Sequence, residues 1–207
     1  MTDYKASKRI VGTHAQRLEI EDVVYNTDTD EGVTINGNTA TNNVSGSTWN
    51  HGYARSTQSI SPSTGGGEVK FTMSRLYAMG GLDKSAVWTG SGNTFGTANY
   101  MMYHDEIYET GSGVKDYDTG TDDSRVFKIT MDGYGVVKYF IDDVEVYEST
   151  VTASGTYYFL ACPYDDGDFV TGEISAFDGK LQSGTIFEES DTGDHYLWNG
   201  TAWVQVA

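Results

Sequence analysis

The amino-acid sequence predicts an all-β fold, and three observations support that prediction. The 207 residues include 17 Val and 9 Ile but only 6 Leu, together with 15 Tyr, 25 Thr and 25 Gly. β-Branched and tyrosine side chains fit a pleated sheet, glycine supplies turns, and leucine is a good helix former. Apolar and polar residues alternate along many segments, whereas no helical period extends over ten residues. Seven or more strands at this spacing indicate an antiparallel two-sheet sandwich.

The predicted strands follow one another along most of the chain. The first covers residues 18–25, and a weaker strand at residues 33–35 leads into an Asn36-Gly37 turn. The strictest alternation lies at residues 68–73, directly after a run of three glycines. Residues 136–147 form a predicted hairpin that is interrupted at Asp142-Asp143. The other strands are predicted at residues 86–89, 99–108, 125–131, 156–161 and 169–177.

Alternation also predicts which side chains point inward. Successive residues of a strand face opposite sides, so the apolar members of each alternating run form the buried face. We expect the core to include Phe71, Phe127, Ile129, Tyr139, Val146 and Phe159.

The two ends of the chain differ from its centre. Residues 1–17 carry four basic side chains and one acidic side chain, and they are predicted to form a basic N-terminal arm. Residues 18–178 hold the sandwich, and residues 179–207 are a linker followed by a C-terminal β-hairpin tail. Asn199-Gly200 lies between two short apolar runs of that tail and is a strong hairpin signal. Since a lone hairpin is marginal in water, we expect the tail to pack on a surface.

The charge of the chain limits its partners. It has 30 acidic and 13 basic residues, which gives a net charge of −17. A field of this sign repels phosphates, so we expect no nucleic-acid partner. Solubility is the plainest reason for the acidity, and a divalent-cation site is the alternative. The candidate Ca²⁺ ligands are Asp165, Asp166 and Asp168, although an acidic turn accounts for the same residues, and we expect no other cofactor.

Three segments resemble the concanavalin A-like lectin/glucanase jelly roll, which includes laminin-G-like domains. Residues 49–60, WNHGYARSTQSI, followed by GEVKFT at 67–72, are similar to the opening of that family. Residues 125–149 are similar to its central hairpin, and residues 155–159 with 171–174 to its closing strands. The resemblance implies a two-sheet jelly roll over residues 20–177. The family's usual Asn-Gly turn is Asp142-Asp143 here; aspartate tolerates positive φ poorly compared with glycine, so we expect another turn type.

The same resemblance raises the question of whether the chain hydrolyses or binds glycans. The related glucanases carry a Glu-x-Asp-x-(x)-Glu string of paired carboxylates, and no such string occurs here. The four histidines have no serine or cysteine at motif spacing, and His104 with Glu106 and Glu109 makes only a weak metal motif. We therefore expect no enzymatic activity. Sugar binding needs an aromatic platform with polar groups around it. The candidate glycan contacts are Trp88, Tyr117 and Tyr164, with Tyr100, Tyr103 and Tyr108 as further aromatic candidates.

The two ends carry a separate resemblance. Residues 4–13, YKASKRIVGT, resemble the openings of predicted phage and archaeal-virus proteins, and residues 184–192 with 198–203 resemble a short module at the ends of phage structural proteins. This implies a non-enzymatic virion structural protein of the capsid, a decoration or fibre, or the tail, which forms homo-oligomers or contacts other virion proteins. The expected assembly residues are Lys5, Lys8, Arg9, Phe187, Trp198 and Trp203.

The alternatives to a virion role are a carbohydrate-binding module for attachment to host surface glycans and a subunit of a cellular surface filament. The sequence shows no classical secretory signal and no stretch of 18 apolar residues. We therefore expect no membrane span and, for a virion protein, assembly in the host cytoplasm followed by release in the particle.

Overall fold

A computed structural model describes residues 9–12, 21–26, 32–44, 53–74, 78–84, 98–117, 124–176, 186–189, 192–198 and 203–206. In these ranges every regular element is a β-strand, apart from a short 3-10 turn at Pro62–Thr64. None of the described residues belongs to a helix that is long and apolar enough to cross a membrane. The predicted all-β class is confirmed.

The described residues form eighteen strands, many of them only four or five residues long. Their bounds are β1 (Arg9–Gly12), β2 (Glu21–Asp22), β3 (Val33–Asn36), β4 (Thr39–Asn42), β5 (Ala54–Ile60), β6 (Gly66–Met73), β7 (Met79–Asp83), β8 (Tyr100–Met102), β9 (Glu106–Glu109), β10 (Ser112–Asp116), β11 (Phe127–Asp132), β12 (Val137–Ile141), β13 (Val144–Glu148), β14 (Tyr157–Cys162), β15 (Phe169–Ala176), β16 (Ile186–Glu189), β17 (His195–Trp198) and β18 (Trp203–Val206).

Two large antiparallel sheets form the sandwich. The six-stranded sheet has the order β10-β9-β8-β7-β14-β5. The eight-stranded sheet has the order β13-β12-β11-β6-β15-β4-β3, and β2 pairs with a further part of β15. Strands distant in sequence lie side by side, such as β6 between β11 and β15. The predicted antiparallel sandwich of the jelly-roll type is thus confirmed.

The core lies between the two large sheets and is built from alternate residues of their strands. β6 buries Val69, Phe71 and Met73, and the residues between them reach solvent. The ring of Phe71 stacks on Phe127 of β11 at a centroid distance of 5.6 Å. The same ring contacts Phe159 of the opposite sheet at 5.4 Å, so aromatic packing joins the two sheets.

The predicted core is confirmed for all six residues. Five of them are buried, and Val146 is a half-buried residue that packs against the same cluster from the edge strand β13. The five buried residues are Phe71, Phe127, Ile129, Tyr139 and Phe159.

Residues 99–108 form two strands instead of the single predicted one. β8 ends at Met102, and a turn at residues 103–105 reverses the chain into β9, so that Met102 pairs with Ile107. The backbone N–H of Tyr103 donates to the carbonyl oxygen of Glu106 at 2.9 Å and closes this turn. The reversal contains no Gly, Pro or Asn, and Asp105 is its single typical turn residue, so the turn signal in the sequence is weak.

β7 was missing from the predicted strands because its sequence, Met-Gly-Gly-Leu-Asp, has a low strand propensity. The sandwich explains one of the glycines: a Cβ atom on Gly80 would lie 2.5 Å from Cε2 of Phe71. Of the predicted first strand, only Glu21–Asp22 is a described strand, followed by a bridge from Tyr25 to Ser56. The strand predicted at residues 86–89 lies outside the described residues.

The Asp142-Asp143 turn corrects the expectation of a different turn type. Both residues have positive φ, 49° and 63°, as a two-residue type I′ hairpin turn requires. Their carboxylates stabilise this backbone: Asp142 accepts hydrogen bonds from the N–H of Val126 at 3.0 Å and from Arg125 at 2.5 Å. Lys128 donates to Asp143 at 2.5 Å, and this contact lowers the pKa of that carboxyl.

A second hairpin turn, between β9 and β10, holds Thr110 at a φ of 48°. A β-branched residue in this left-handed region is strained, by on the order of 1–3 kcal/mol. The turn directly follows Glu109, a buried carboxylate, and the hydroxyl of Thr110 donates to the Glu109 carbonyl oxygen at 2.8 Å.

Replacing Thr110 with asparagine should raise the free energy of unfolding by about 1 kcal/mol, because asparagine adopts positive φ more readily. Chemical denaturation of the wild type and the variant measures the difference. The matched control is Thr72→Asn in β6, where the backbone is ordinary strand and the substitution should not stabilise. Equal stability of Thr110→Asn and the wild type would show that the turn is not strained.

The predicted arm and tail meet in a third, smaller sheet of order β1-β16-β17-β18. β1 pairs in parallel with β16, and β16, β17 and β18 form an antiparallel meander. Of the expected assembly residues, Arg9 begins β1, Phe187 lies in β16, and Trp198 pairs with Trp203. Lys5 and Lys8 are outside the described residues, as are the side chains of the other four. Their role in assembly stays a prediction.

Candidate functional site

One end of the six-stranded sheet collects tyrosine and acidic side chains. The β8–β9 turn at residues 103–105 lies there, β10 leads there to Tyr117, and β14 leads there to Tyr164. Cys162, at the end of β14, pairs with Met79 of β7. The next residue of β7, Gly80, pairs with Met102 at the end of β8. The ends of β14 and β8 therefore lie at the same end of the sheet. We call this surface the tyrosine-rich end and define it by Tyr103, His104, Asp105, Glu106, Tyr108, Tyr117 and Tyr164.

Tyr117 fixes the β8–β9 turn from the side of β10. Its backbone N–H donates to the carbonyl oxygen of Asp105 at 2.9 Å, and its hydroxyl donates to the carbonyl oxygen of Tyr103. Burial raises the pKa of Tyr117 well above its usual value, and the nearby Asp105 and Glu106 raise it further. The phenol is therefore neutral and remains a donor, which holds the backbone of Tyr103 in place.

Tyr108 and Glu106 lie two residues apart on the same face of β9 and contact each other. The Tyr108 hydroxyl donates to Oε2 of Glu106 at 2.5 Å. Oε1 of Glu106 lies over β10, where a Cβ atom on Gly113 would be only 1.7 Å away. Burial, followed by the hydrogen bond to Glu106, raises the pKa of Tyr108 to about 12. A carboxylate offers about four lone-pair positions, so an oriented Glu106 can accept further donors.

His104, Tyr103 and Asp105 form the solvent-exposed part of the tyrosine-rich end. The imidazole of His104 contacts the Tyr103 ring edge-to-face at a centroid distance of 4.3 Å, and its Nε2 is 3.4 Å from Oδ2 of Asp105. The side chains of His104 and Asp105 are 25% and 56% exposed, and Tyr103 is half-buried. Aromatic surface and carboxylate oxygens therefore face solvent side by side.

The β14–β15 loop beside this cluster is held by buried polar contacts. Asn42 is buried, and its Nδ2 donates to the carbonyl oxygen of Tyr164 at 2.5 Å. Oδ1 of Asp168 accepts from the hydroxyl of Ser74 at 2.8 Å, and Oδ2 accepts from the N–H of Asp165 at 2.9 Å. These contacts order the loop without a ligand, and a preorganised loop loses less entropy on binding.

Asp168, one of the predicted Ca²⁺ ligands, stabilises this loop through hydrogen bonds. Both oxygens of Asp168 accept hydrogen bonds from the chain itself, and Asp166 is exposed at the tip of the turn. Over the described ranges, no three His, Cys, Asp or Glu side chains group in a way that could hold a metal ion. The hydrogen bonds account for Asp168 as a turn residue, and Ca²⁺ binding stays a prediction.

The structure brings some of the predicted glycan contacts together and separates others. Tyr117 and Tyr164 both lie at the tyrosine-rich end, on strands that are several positions apart in the sheet. Tyr100 is buried in the core and faces away from this surface, and Trp88 lies outside the described residues. Sequence reasoning did not select Glu106 as a partner of the tyrosines. The i, i+2 spacing of Glu106 and Tyr108 on a strand was the signal that could have revealed it.

A second apolar cluster covers the outer face of the six-stranded sheet near the tyrosine-rich end. Tyr103 and Tyr108 pack against its margin. Cys162 belongs to it, and complete burial raises the pKa of the thiol, which makes it unreactive. The cluster gives the two tyrosine rings a rigid apolar base. Its buried members are Tyr53, Met79, Ala98, Met101, Leu160 and Cys162.

The two glutamates of the weak metal motif with His104 do not face each other. Glu106 faces outward, whereas Glu109, three positions further along β9, points into the sandwich toward Tyr139. Asp143 and Glu145 are exposed and paired with Lys128 and Lys138. They form a solvated polar face.

Comparison with known proteins establishes the fold of the chain. No protein-family model and no curated protein sequence matches it. The TRIM65 PSpry domain is 9% identical, with a TM-score of 0.56 over 73% of this chain and 91% of that one. The human HERC1 SPRY domain is 14% identical, with a TM-score of 0.50 over 77% of this chain and 100% of that one.

A carbohydrate recognition domain, that of Emp46p, is 11% identical, with a TM-score of 0.48 over 76% of this chain and 88% of that one. The chain shares the β-sandwich fold of the two SPRY domains, and at these identities the likeness concerns the fold alone. Nothing in the comparisons points to a virus.

Proposed function

We propose that this chain is a non-catalytic recognition module that binds carbohydrate at its tyrosine-rich end. The observation that carries the proposal is the arrangement of Glu106, whose carboxylate is held by Tyr108 beside the partly exposed rings of Tyr103 and His104. Aromatic faces cover the C–H surfaces of a sugar, and carboxylates accept its hydroxyl protons. A few fixed polar groups on an apolar base are the usual composition of a ligand site.

The protonation states of the site support a hydroxyl-rich ligand. The pKa of Tyr108 is raised to about 12, so its phenol remains a donor at neutral pH and keeps Glu106 oriented. The exposed Asp105 adds a second acceptor at the same turn. A ligand rich in hydroxyl donors suits these acceptors, whereas an anionic ligand would be repelled by them and by the net charge of −17.

The absence of catalysis is part of the proposal. A retaining glycosidase needs two carboxyl groups about 5 Å apart on one surface. At this site Glu106 is held by a tyrosine, and the neighbouring Glu109 points to the opposite side of the sheet. The virion role, which rests on the resemblance of the two ends, stays a prediction, as do the filament alternative and the expected localisation.

A glycan array followed by calorimetric titration tests the proposal. We expect the wild type to bind a neutral glycan, and Tyr103→Ala and Glu106→Gln each to weaken binding by about 10-fold, equivalent to about 1.4 kcal/mol. The matched control is Tyr134→Ala, because Tyr134 is 67% exposed and lies at the β11–β12 turn of the other large sheet. Tyr134→Ala should bind as the wild type does.

Two results would contradict the proposal. One is that no glycan on the array binds. The other is that a bound glycan is lost equally in Tyr134→Ala and in the site variants, which would place the binding surface elsewhere. Thermal melts of all three variants show whether each is folded.

A further inference from the structure

The outer edge of β18 differs from the edges of the two large sheets. β10 carries Lys115 and Asp116 and a register shift, and β13 carries two glutamates and pairs with β12 through a register shift. The outer edge of β5 is covered by residues 24–26: Tyr25 bridges to Ser56, and the N–H of Asn26 donates to the carbonyl oxygen of Arg55 at 2.7 Å. Charges and bulges of this kind protect exposed edges against pairing with other strands. Edges without them remain open to a further strand.

β18 has none of these protections. Its sequence, Trp-Val-Gln-Val, contains no charge and no proline, and its four residues pair with β17 in an uninterrupted register. Among the described residues, no strand lies on the other side of β18. β3 is also an uncharged edge, but Val33 and Ile35 pack on the main core, and Thr34 accepts a hydrogen bond from Asn43. The exposed face of β3 is therefore polar.

An apolar row leads across the small sheet to the edge of β18. Ile186 pairs with Leu197, and Leu197 pairs with Val204, so the three side chains lie on one face. Val204 is 46% exposed, and the other two are half-buried. The opposite face holds Tyr196, which is only 8% exposed. The row therefore ends at an edge that is both apolar and unpaired in the described chain.

We propose that β18 pairs with β18 of a second copy of this chain. An antiparallel pair of identical strands is self-complementary about a two-fold axis, so both copies use the same edge. The net charge of −17 makes most approaches of two copies unfavourable, because like charges then face each other. β18 brings no charge to the contact. Pairing joins the two small sheets into one continuous sheet and extends the row of Ile186, Leu197 and Val204 into its counterpart.

The first test measures the mass of the full chain by light scattering across a concentration series. We expect the wild type to reach the dimer mass, and Val204→Lys to weaken dimerisation by at least about 10-fold, because two ammonium groups would meet across the axis. The matched control is Val144→Lys on the edge strand β13, where Val144 is 65% exposed, and this variant should dimerise as the wild type does. A wild type that is monomeric at every concentration overturns the proposal, as does equal dimerisation of both variants.

The second test is disulfide cross-linking, which does not depend on weakening the fold. Cys162 is buried, so a single new cysteine on β18 is the reactive thiol under mild oxidation. Paired strands bring Cα atoms to 4.5–5.5 Å, within the range that a disulfide spans. We expect a covalent dimer from Val204→Cys or Gln205→Cys and none from Val144→Cys. Failure of both β18 variants to cross-link, or equal cross-linking of Val144→Cys, overturns the pairing of β18.

Discussion

Replacing Glu109 with alanine should lower the free energy of unfolding by about 3–5 kcal/mol. Glu109 is 5% exposed and bridges the two sheets: its Oε1 accepts from the hydroxyl of Tyr139 at 2.9 Å, and its Oε2 accepts from the hydroxyl of Ser149 at 3.0 Å. Hydrogen bonds to a charged group contribute about 1.5–3 kcal/mol each, and a buried donor left without a partner adds its desolvation penalty. Tyr139 is completely buried, so water cannot replace the lost acceptor.

Chemical denaturation measures this decrease in the free energy of unfolding, and two further variants serve as comparisons. Glu109→Gln keeps one acceptor oxygen and should lose less stability than Glu109→Ala. Glu145→Ala is the matched control, because Glu145 is exposed and its ion pair with Lys138 lies at the surface, where such pairs contribute about 0–1 kcal/mol. If Glu109→Ala costs no more than Glu145→Ala, the bridge between Glu109 and Tyr139 does not stabilise the sandwich.

Phe127→Ala should cost about 3–5 kcal/mol, the range found when a buried phenylalanine is truncated. Phe127 is 4% exposed, and its ring stacks on Phe71 at 5.6 Å, so truncation leaves a cavity between the sheets. Phe140 is the matched control: it lies on the neighbouring strand β12, is half-buried on the outer face, and packs under Lys128. Phe140→Ala should cost clearly less. A loss under roughly 0.5 kcal/mol for Phe127→Ala would mean that β11 faces the other way.

The inward-facing residues could be predicted from the sequence because side chains alternate along a strand. Once one face is buried, alternation determines which residues point into the core. Phe127, Ile129 and Tyr139 are cases in which pattern and burial agree. The β8–β9 reversal was missed for the opposite reason: Tyr103 and His104 are not typical turn residues, and Asp105 alone is a weak signal. The turn depends on hydrogen bonds from Tyr117. Those contacts become visible only when β10 lies next to β9.

The candidate site was predictable only in part. Composition and resemblance pointed to tyrosines, and two of the three selected aromatic residues, Tyr117 and Tyr164, lie at the tyrosine-rich end. The i, i+2 spacing places Glu106 and Tyr108 on one strand face, but the sequence does not show that Glu106 also lies over Gly113 of the next strand. A contact between neighbouring strands depends on register, which the pattern of a single strand does not contain.

The pairing of β2 with β15 has a consequence for the order in which the chain folds. Joining β1 to β16 directly would close a loop of about 170 residues, whereas the contact of Asp22 with Glu173 already brings the two ends of the sandwich together. Only residues 13–20 and 177–185 then remain between the sandwich and the small sheet, which lowers the entropic cost of closure by roughly 2 kcal/mol. We therefore expect the sandwich to act as a template for the pairing of β1 with β16, whereas β16, β17 and β18 are neighbours along the chain and close only short loops.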